Sequence, residues 1–326
     1  MLAWDVFAVV TNIIFALAAI AMNVLLLYLV LAVTPSSMKS YSIMMMNFAI
    51  TYLCASFAYF MDLPRMLITG NNLLFVFYGP CGPIGGNNMC FALYSILKMS
   101  YMQTMYGVLI SVLFRYKVLR DGHINLKKYT FAVVVLWIYI IGSCFGFYLV
   151  HLDDSLLVAS MKEFGIYQYY EHNYKSGIED VMGHYMMLCS YYFFPCLICS
   201  AISAIFIIKS RRIIEAQASR LSAKTTRLQK DLLRALTLQL MLPLELMTMY
   251  LFFFVDMLVY PHPLLDILTL LTVACDPLVS SAFTVFSITP YRARVKKLLT
   301  FKSPFRTAPQ MSSKQPSFLT ASGPRV

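Results

Sequence analysis

Long apolar blocks alternate with short polar breaks along almost the whole chain, and block length is the first structural signal. A membrane-spanning α-helix needs about 20 mostly apolar residues. Seven stretches meet that length: 6–32, 41–63, 89–113, 130–150, 184–208, 235–259 and 264–288. The first break holds Pro35-Ser36-Ser37 and the last holds Pro261-His262-Pro263, residues that end helices or turn chains. No internal repeat is visible, so nothing in the pattern suggests an inverted-repeat transporter. The pattern predicts an all-α membrane protein, a seven-transmembrane helix bundle over residues 1–302. Residues 291–301 alternate basic and apolar positions as a helix lying on an anionic inner leaflet would, and 303–326 reads as a disordered cytoplasmic tail.

Composition excludes the soluble alternative. Hydrophobic residues make up 60% of the 326 and charged residues 13%, against about 45–50% and about 25% in soluble domains. The chain runs from Met1-Leu2-Ala3-Trp4-Asp5 straight into its first apolar stretch, without the basic n-region and cleavage site of a signal peptide. That stretch therefore reads as a signal-anchor helix that stays in the protein.

Charge then orients the bundle. The loops at 33–40, 114–129 and 209–234 and the tail together carry 22 Lys and Arg; the loops on the other side carry 3, namely Arg65, Lys162 and Lys175. Basic loops stay in the cytoplasm, so the N-terminus is outside and the C-terminus inside. The net charge of +11 belongs to the cytoplasmic face and is no sign of nucleic-acid binding. The long outer segment 151–183 is acidic and aromatic, with Asp153, Asp154, Glu163, Glu171, Glu179 and Asp180 among Tyr167, Tyr169, Tyr170 and Tyr174. It reads either as a solvated lid or as a cap over a ligand route. No Asn-x-Ser/Thr sequon occurs.

Ionisable side chains inside spans are costly and mark function by default. Tyr94, Lys98 and Tyr101 share a face of the third helix by spacing. Glu245, Thr248, Phe252 and Asp256 share one on the sixth, and Asp266, Thr269, Thr272 and Asp276 one on the seventh. Turned inward, these faces make an aromatic-lined polar pocket for a small molecule. The structural alternative, compatible with the first, is a Lys98–carboxylate pair that ties helices together. Pro195 and Pro243 fall inside the fifth and sixth spans, as static kinks or as pivots.

Enzymatic readings find no support. There is no HExxH, no GxSxG and no paired-Asp protease motif, and no cofactor or metal site is indicated. His123 lies on the inner side, and His151, His172, His184 and His262 lie at the outer side. A retinal Schiff base needs a Lys on the last span, and 264–288 has none. A small-solute transporter or channel is the remaining alternative to a receptor.

Local motifs narrow the class. Asn23-Val24-Leu25-Leu26-Leu27-Tyr28-Leu29 is followed by Pro35 and by Met38-Lys39-Ser40-Tyr41-Ser42-Ile43-Met44-Met45-Met46-Asn47. Tyr78-Gly79-Pro80-Cys81 precedes the third helix and Phe114-Arg115-Tyr116 ends it. Further along stand Lys224-Thr225-Thr226-Arg227-Leu228-Gln229-Lys230-Asp231, Pro243, Asp276-Pro277 and Pro290-Tyr291-Arg292. In order and spacing the set resembles the nematode serpentine chemoreceptors of the Str superfamily, most of all class delta (Srd). Two positions depart from expectation: Tyr52 stands where many relatives carry an acid, and no acid precedes Arg115. The resemblance implies a chemosensory receptor of the cell membrane, with the ciliary membrane of sensory neurons as an expected location, that couples a small extracellular ligand to a heterotrimeric G protein. Under that resemblance Arg115, Tyr116, Arg227 and Lys230 are the coupling residues, with Arg115 ending the third helix at the cytoplasmic edge.

The cysteines add one expectation. The outer segment 151–183 has no Cys, so it cannot be bridged to the third helix. Cys81 and Cys90 are the pair near the oxidising face, separated by the Gly82-Pro83-Ile84-Gly85-Gly86 run. A bridge between them closing that loop is expected, worth about 2–3 kcal/mol; the alternative is two free thiols.

Overall fold

A computed structural model describes residues 2–34, 39–69, 72–122, 126–149, 154–178, 183, 186–217, 223–240, 242–258 and 262–300. The expected tail therefore lies outside the described residues. In chain order the elements are α1 (Leu2–Ala32), α2 (Lys39–Asp62), β1 (Pro64–Thr69), β2 (Asn72–Phe77), α3 (Cys81–Asp121) and α4 (Leu126–Tyr148). Then come α5 (Asp154–Glu163), α6 (Tyr167–Tyr170), β3 (Tyr174–Ile178), α7 (Met186–Gln217), α8 (Ala223–Gln239), α9 (Leu242–Leu258), α10 (Pro263–Ser287) and α11 (Thr289–Leu299). Six described helices, α1, α2, α3, α4, α7 and α10, are each long and apolar enough to cross a bilayer. The seventh crossing is shared by α8 and α9. Helix α1 packs on α2 and α10, α2 on α3, and α9 on α10, while α3 runs through the middle against α2, α4, α7 and α8. This is the predicted seven-helix bundle.

Several helix ends lie beyond the predicted spans. Helix α3 starts at Cys81 and ends at Asp121, where Gly122 takes a left-handed φ of 67° and returns its N–H to the Val118 carbonyl. Helix α7 runs on to Gln217 and α8 begins at Ala223, so most of the basic 209–234 segment is helical extension. Apolar block length reports only the part of a helix within hydrocarbon, and these ends project past it.

The sixth span, expected as one helix, is broken. Proline has no N–H to offer the carbonyl four residues back, which for Pro243 is that of Gln239. Helix α8 accordingly stops at Gln239, and α9 restarts at Leu242 with Pro243 in its first turn, where a missing N–H leaves no bond unmade. Pro195, by contrast, lies inside the continuous α7.

The outer face holds a feature that the block pattern missed: a three-stranded antiparallel sheet in the order β1-β2-β3. Thr69 pairs with Asn72 at one end of the hairpin and Pro64 with Phe77 at the other. Strand β3, from the long outer segment, adds to β2 with Leu73 opposite Ile178 and Phe77 opposite Tyr174. Leu63, with a positive φ of 39°, turns the chain from α2 into β1. Gly79 brings it back against the backbone of Met61 and Asp62, its N–H on the Asp62 carbonyl at 3.0 Å. Strand β2 is buried on both faces, which explains its unbroken apolar run. Leu73, Phe75 and Phe77 face the bundle core. Leu74 and Val76 face a cap cluster with Leu157, Met161 and Tyr170. The acidic outer segment is thus a folded cap on the bundle.

The Cys81–Cys90 bridge is present, with Cα atoms 5.2 Å apart. It does not close a free loop: both residues belong to α3, on either side of Gly86, whose φ of 70° and ψ of −165° interrupt the helix. Only glycine takes that conformation readily.

Candidate functional site

Three polar layers lie on the bundle axis. The outermost begins with Asp5, an acid in the first turn of an otherwise apolar helix, and Arg65 at the second residue of β1. Both are buried and they form an ion pair. The Tyr170 hydroxyl donates to the second Asp5 oxygen at 3.5 Å, tying the cap to the same pair. Nearby, Asp256 at the end of α9 accepts the His262 backbone N–H at 2.8 Å and lies within hydrogen-bonding reach of Asp266 on α10. The His262 side chain caps α10 by accepting the Leu264 N–H at 3.1 Å, and its ring meets Trp4 edge-on. Burial pushes the Tyr78 hydroxyl up to about 12, reinforced by Tyr170 and opposed by Arg65. Burial likewise raises Tyr170, again against Arg65. Both phenols therefore remain neutral donors here.

Beneath this layer the sheet roofs the third helix. The Phe75 ring lies 4.4 Å from that of Tyr94, and Phe91 links the pair to Tyr148. The Lys98 ammonium stands 5.4 Å from the Tyr94 ring centroid, a cation–π contact one helical turn away.

The middle layer is organised by Pro277. Proline in α10 leaves the Val273 carbonyl, four residues back, without its helical donor. In a membrane such an orphan needs another partner. The Tyr101 hydroxyl supplies it at 2.6 Å, and Tyr59 reaches the Leu270 carbonyl at 3.2 Å. Asn23 donates to the Pro277 carbonyl at 3.1 Å from α1. Tyr52 donates to Ser280 at 2.9 Å, so the residue at the position where an acid was expected is used to join α2 to α10. Asp276 is fully enclosed here, with no hydrogen bond to either carboxyl oxygen among the described residues, and with Glu245 in electrostatic reach. Slightly further in, the Asn47 side-chain oxygen gathers Trp137 at 2.8 Å and Gln103 at 3.2 Å, joining α2, α3 and α4.

The inner layer corrects the expected place of Arg115. It does not end α3 at the membrane edge; two more turns follow, and its side chain is buried beside Tyr41. Its Nε and one Nη have no hydrogen-bond partner among the described residues. Tyr116 packs edge-on against Phe206 of α7 at 4.9 Å. The inner end of α8 is held to the α10–α11 junction by a short hydrogen bond from Thr289 to Asp231. Tyr291 bonds Thr34 at 2.7 Å and closes the same end of α1. Arg227 and Lys230 are exposed on α8.

The predicted pocket residues divide by environment. Tyr94, Tyr101, Asp266 and Thr269 are buried, with Thr269 bonded to the Leu265 carbonyl in its own helix. Lys98, Glu245 and Phe252 are half-buried, and Thr248 is exposed, outside the packed interior. Sequence reading missed Asp5–Arg65, Tyr52–Ser280 and the Asn47 cluster. For the first a signal existed: an isolated acid in an apolar helix and an outer arginine beside the next apolar block are expected to find each other.

A family model described as "Serpentine type 7TM GPCR chemoreceptor Srd" matches residues 8–297. Serpentine receptor class delta-1 of Caenorhabditis elegans is 24% identical over 290 residues, covering 86% of this chain and 77% of that one. Serpentine receptor class delta-3 of the same organism is 23% identical over 289 residues, covering 84% and 82%. Among solved structures, squid rhodopsin superposes with a TM-score of 0.55 at 14% identity, covering 91% of this chain and 86% of that chain. At that identity the likeness shows the fold.

Proposed function

The chain belongs to the Srd family of serpentine seven-transmembrane chemoreceptors, and from that membership we propose that it binds a small extracellular molecule beneath the outer sheet and signals to a heterotrimeric G protein. The observation that carries this reading is the Tyr101–Val273 hydrogen bond. It joins the helix under the aromatic roof to α10, the proline-bearing helix that ends at the cytoplasmic junction with α11. A ligand that shifts α3 near Lys98 alters that bond, and the change passes along α10.

The half-buried side chains are the best contact set, because each keeps part of its surface outside the packed interior. Lys98, Glu245 and Phe252 offer a cation, an acid and an aromatic ring; Tyr94, Tyr101, Asp266 and Thr269 form the walls. Thr248 is at most peripheral. On the inner face, Arg115, Tyr116, Arg227 and Lys230 are the coupling residues, with buried Arg115 exposed to Gα only when α8 moves outward and its Asp231 releases Thr289. The membrane is that of a chemosensory neuron, with the ciliary membrane as the site of action.

The test is a ligand screen with calcium readout in cells expressing the chain, followed by nucleotide exchange on Gα with purified receptor. An active compound should lose potency with Lys98→Met and Glu245→Gln at unchanged surface expression. A compound that drives solute flux without any exchange on Gα would overturn the reading.

A further inference from the structure

We propose that the groove between the cytoplasmic halves of α7 and α8 binds one anionic phospholipid of the inner leaflet, its acyl chain between the helices and its phosphate on Lys230 and Arg234. The groove encloses about 600 Å³, and its described lining comes from α7, α8 and Leu240 just past α8. Helix α3 supplies none of the described lining.

Its chemistry is graded along the membrane normal. Toward the membrane interior the described lining is mostly apolar, with Ala204, Ile207 and Ile208 on α7 opposite Thr237 of α8 and Leu240 just past it. The cytoplasmic end is charged, with Arg211 and Glu215 facing Lys230 and Arg234. Arg211 and Glu215 pair with each other at 3.4 Å, and Glu215 is the sole acid among the described lining residues. Two cations, one helical turn apart on α8, are therefore left for an outside anion. From Glu215 to Ala204 the helix rises about 16 Å, so the groove runs from the cytoplasmic extension of α7 into the end of its apolar span. Basic pockets between transmembrane helices on the cytoplasmic side are suited to lipid phosphates. A free phosphate would leave the mostly apolar inner end of the groove unfilled, whereas a phospholipid fills both ends. This inference uses the cytoplasmic assignment of the basic loops and shares Lys230 with the coupling residues proposed above.

The test uses the full receptor in nanodiscs containing phosphatidylserine with a photoreactive group on its acyl chain, and label mapped by mass spectrometry. Label is expected on 204–215 and 230–240. Arg234→Gln should lower it about fivefold, as loss of one interfacial charge does. Ala204→Trp, which fills the deep end, should lower it with the charges intact. Lys296→Gln with Lys297→Gln, on α11, should leave it unchanged. Arg234 is exposed, so its variant folds even if Ala204→Trp does not. Equal labelling by a phosphatidylcholine probe, or label indifferent to Arg234→Gln, overturns the proposal. So does displacement of the label by a Gα C-terminal peptide, which would assign the groove to protein.

Discussion

Removing Arg65 should be far more damaging than removing the whole Asp5–Arg65 pair. The side chains are 4% and 9% exposed, so solvent does little to screen them. Arg65→Met leaves Asp5 buried without its counter-charge, a change that typically costs about 3–5 kcal/mol. Asp5→Leu does the converse to Arg65, whose Nε already lacks a hydrogen-bond partner among the described residues. The double variant leaves no uncompensated charge, and replacing a buried pair by apolar side chains is typically neutral or stabilising by about 1–4 kcal/mol. Each single variant should therefore melt on the order of 10 °C below the parent, and the double variant should recover most of that loss. Thermal unfolding in nanodiscs can be followed by the reactivity of Cys196 and Cys199, which are buried in α7 and become accessible on unfolding. Singles that melt with the parent would mean the pair is solvated. A double variant as unstable as the singles would mean that the side chains act by shape, and either result refutes the argument.

Four further outcomes follow from the same geometry. Tyr101→Phe leaves the Val273 carbonyl unpaired beside Pro277 and should cost about 1–3 kcal/mol, read as a lower melting temperature together with altered basal nucleotide exchange. Cys81→Ser with Cys90→Ser should lose about 2–3 kcal/mol; reductant should lower the melting temperature of the parent and leave the variant unmoved. Gly79→Ala places a methyl group into the Met61 backbone and should abolish surface expression, whereas Gly142→Ala, with open space around it, should be silent by cell-surface labelling. Arg115→Lys should keep surface expression and ligand binding but lose most exchange on Gα, because an ammonium cannot reproduce the guanidinium fork; unchanged exchange would reduce Arg115 to a packing residue.

The bundle was legible because lipid imposes a long apolar length on each crossing, and that length is written directly in residues such as those of α1 and α10. The sheet was not, although its signal is present: Gly70-Asn71 lies between two apolar runs, a pairing that favours a tight hairpin. Strand β2 is covered on both faces, so it shows no alternation and is too short for a span, and it reads as loop. The break at Gln239–Leu242 was half legible, since Pro243 announces a disturbance but not whether the helix bends or stops. Within the site, spacing puts Tyr94, Lys98 and Tyr101 on one face, yet could not tell which hydroxyl the fold would spend on an orphaned carbonyl. That depends on the depth match between Tyr101 and Pro277, on helices far apart in sequence. Arg115 was misplaced because the end of an apolar block was taken as the end of a helix that continues to Asp121.

The attachment of the cap to β2 has a kinetic consequence. Strand β3 is joined through the pairs from Leu73–Ile178 to Phe77–Tyr174, and the cap segment contains no cysteine. Its closure is therefore reversible and indifferent to the redox state outside the cell. The cap can peel by breaking amide hydrogen bonds in succession, while the disulfide within α3 stays intact. Amide hydrogen exchange across Tyr174–Ile178 becomes a direct clock for how often the roof stands open.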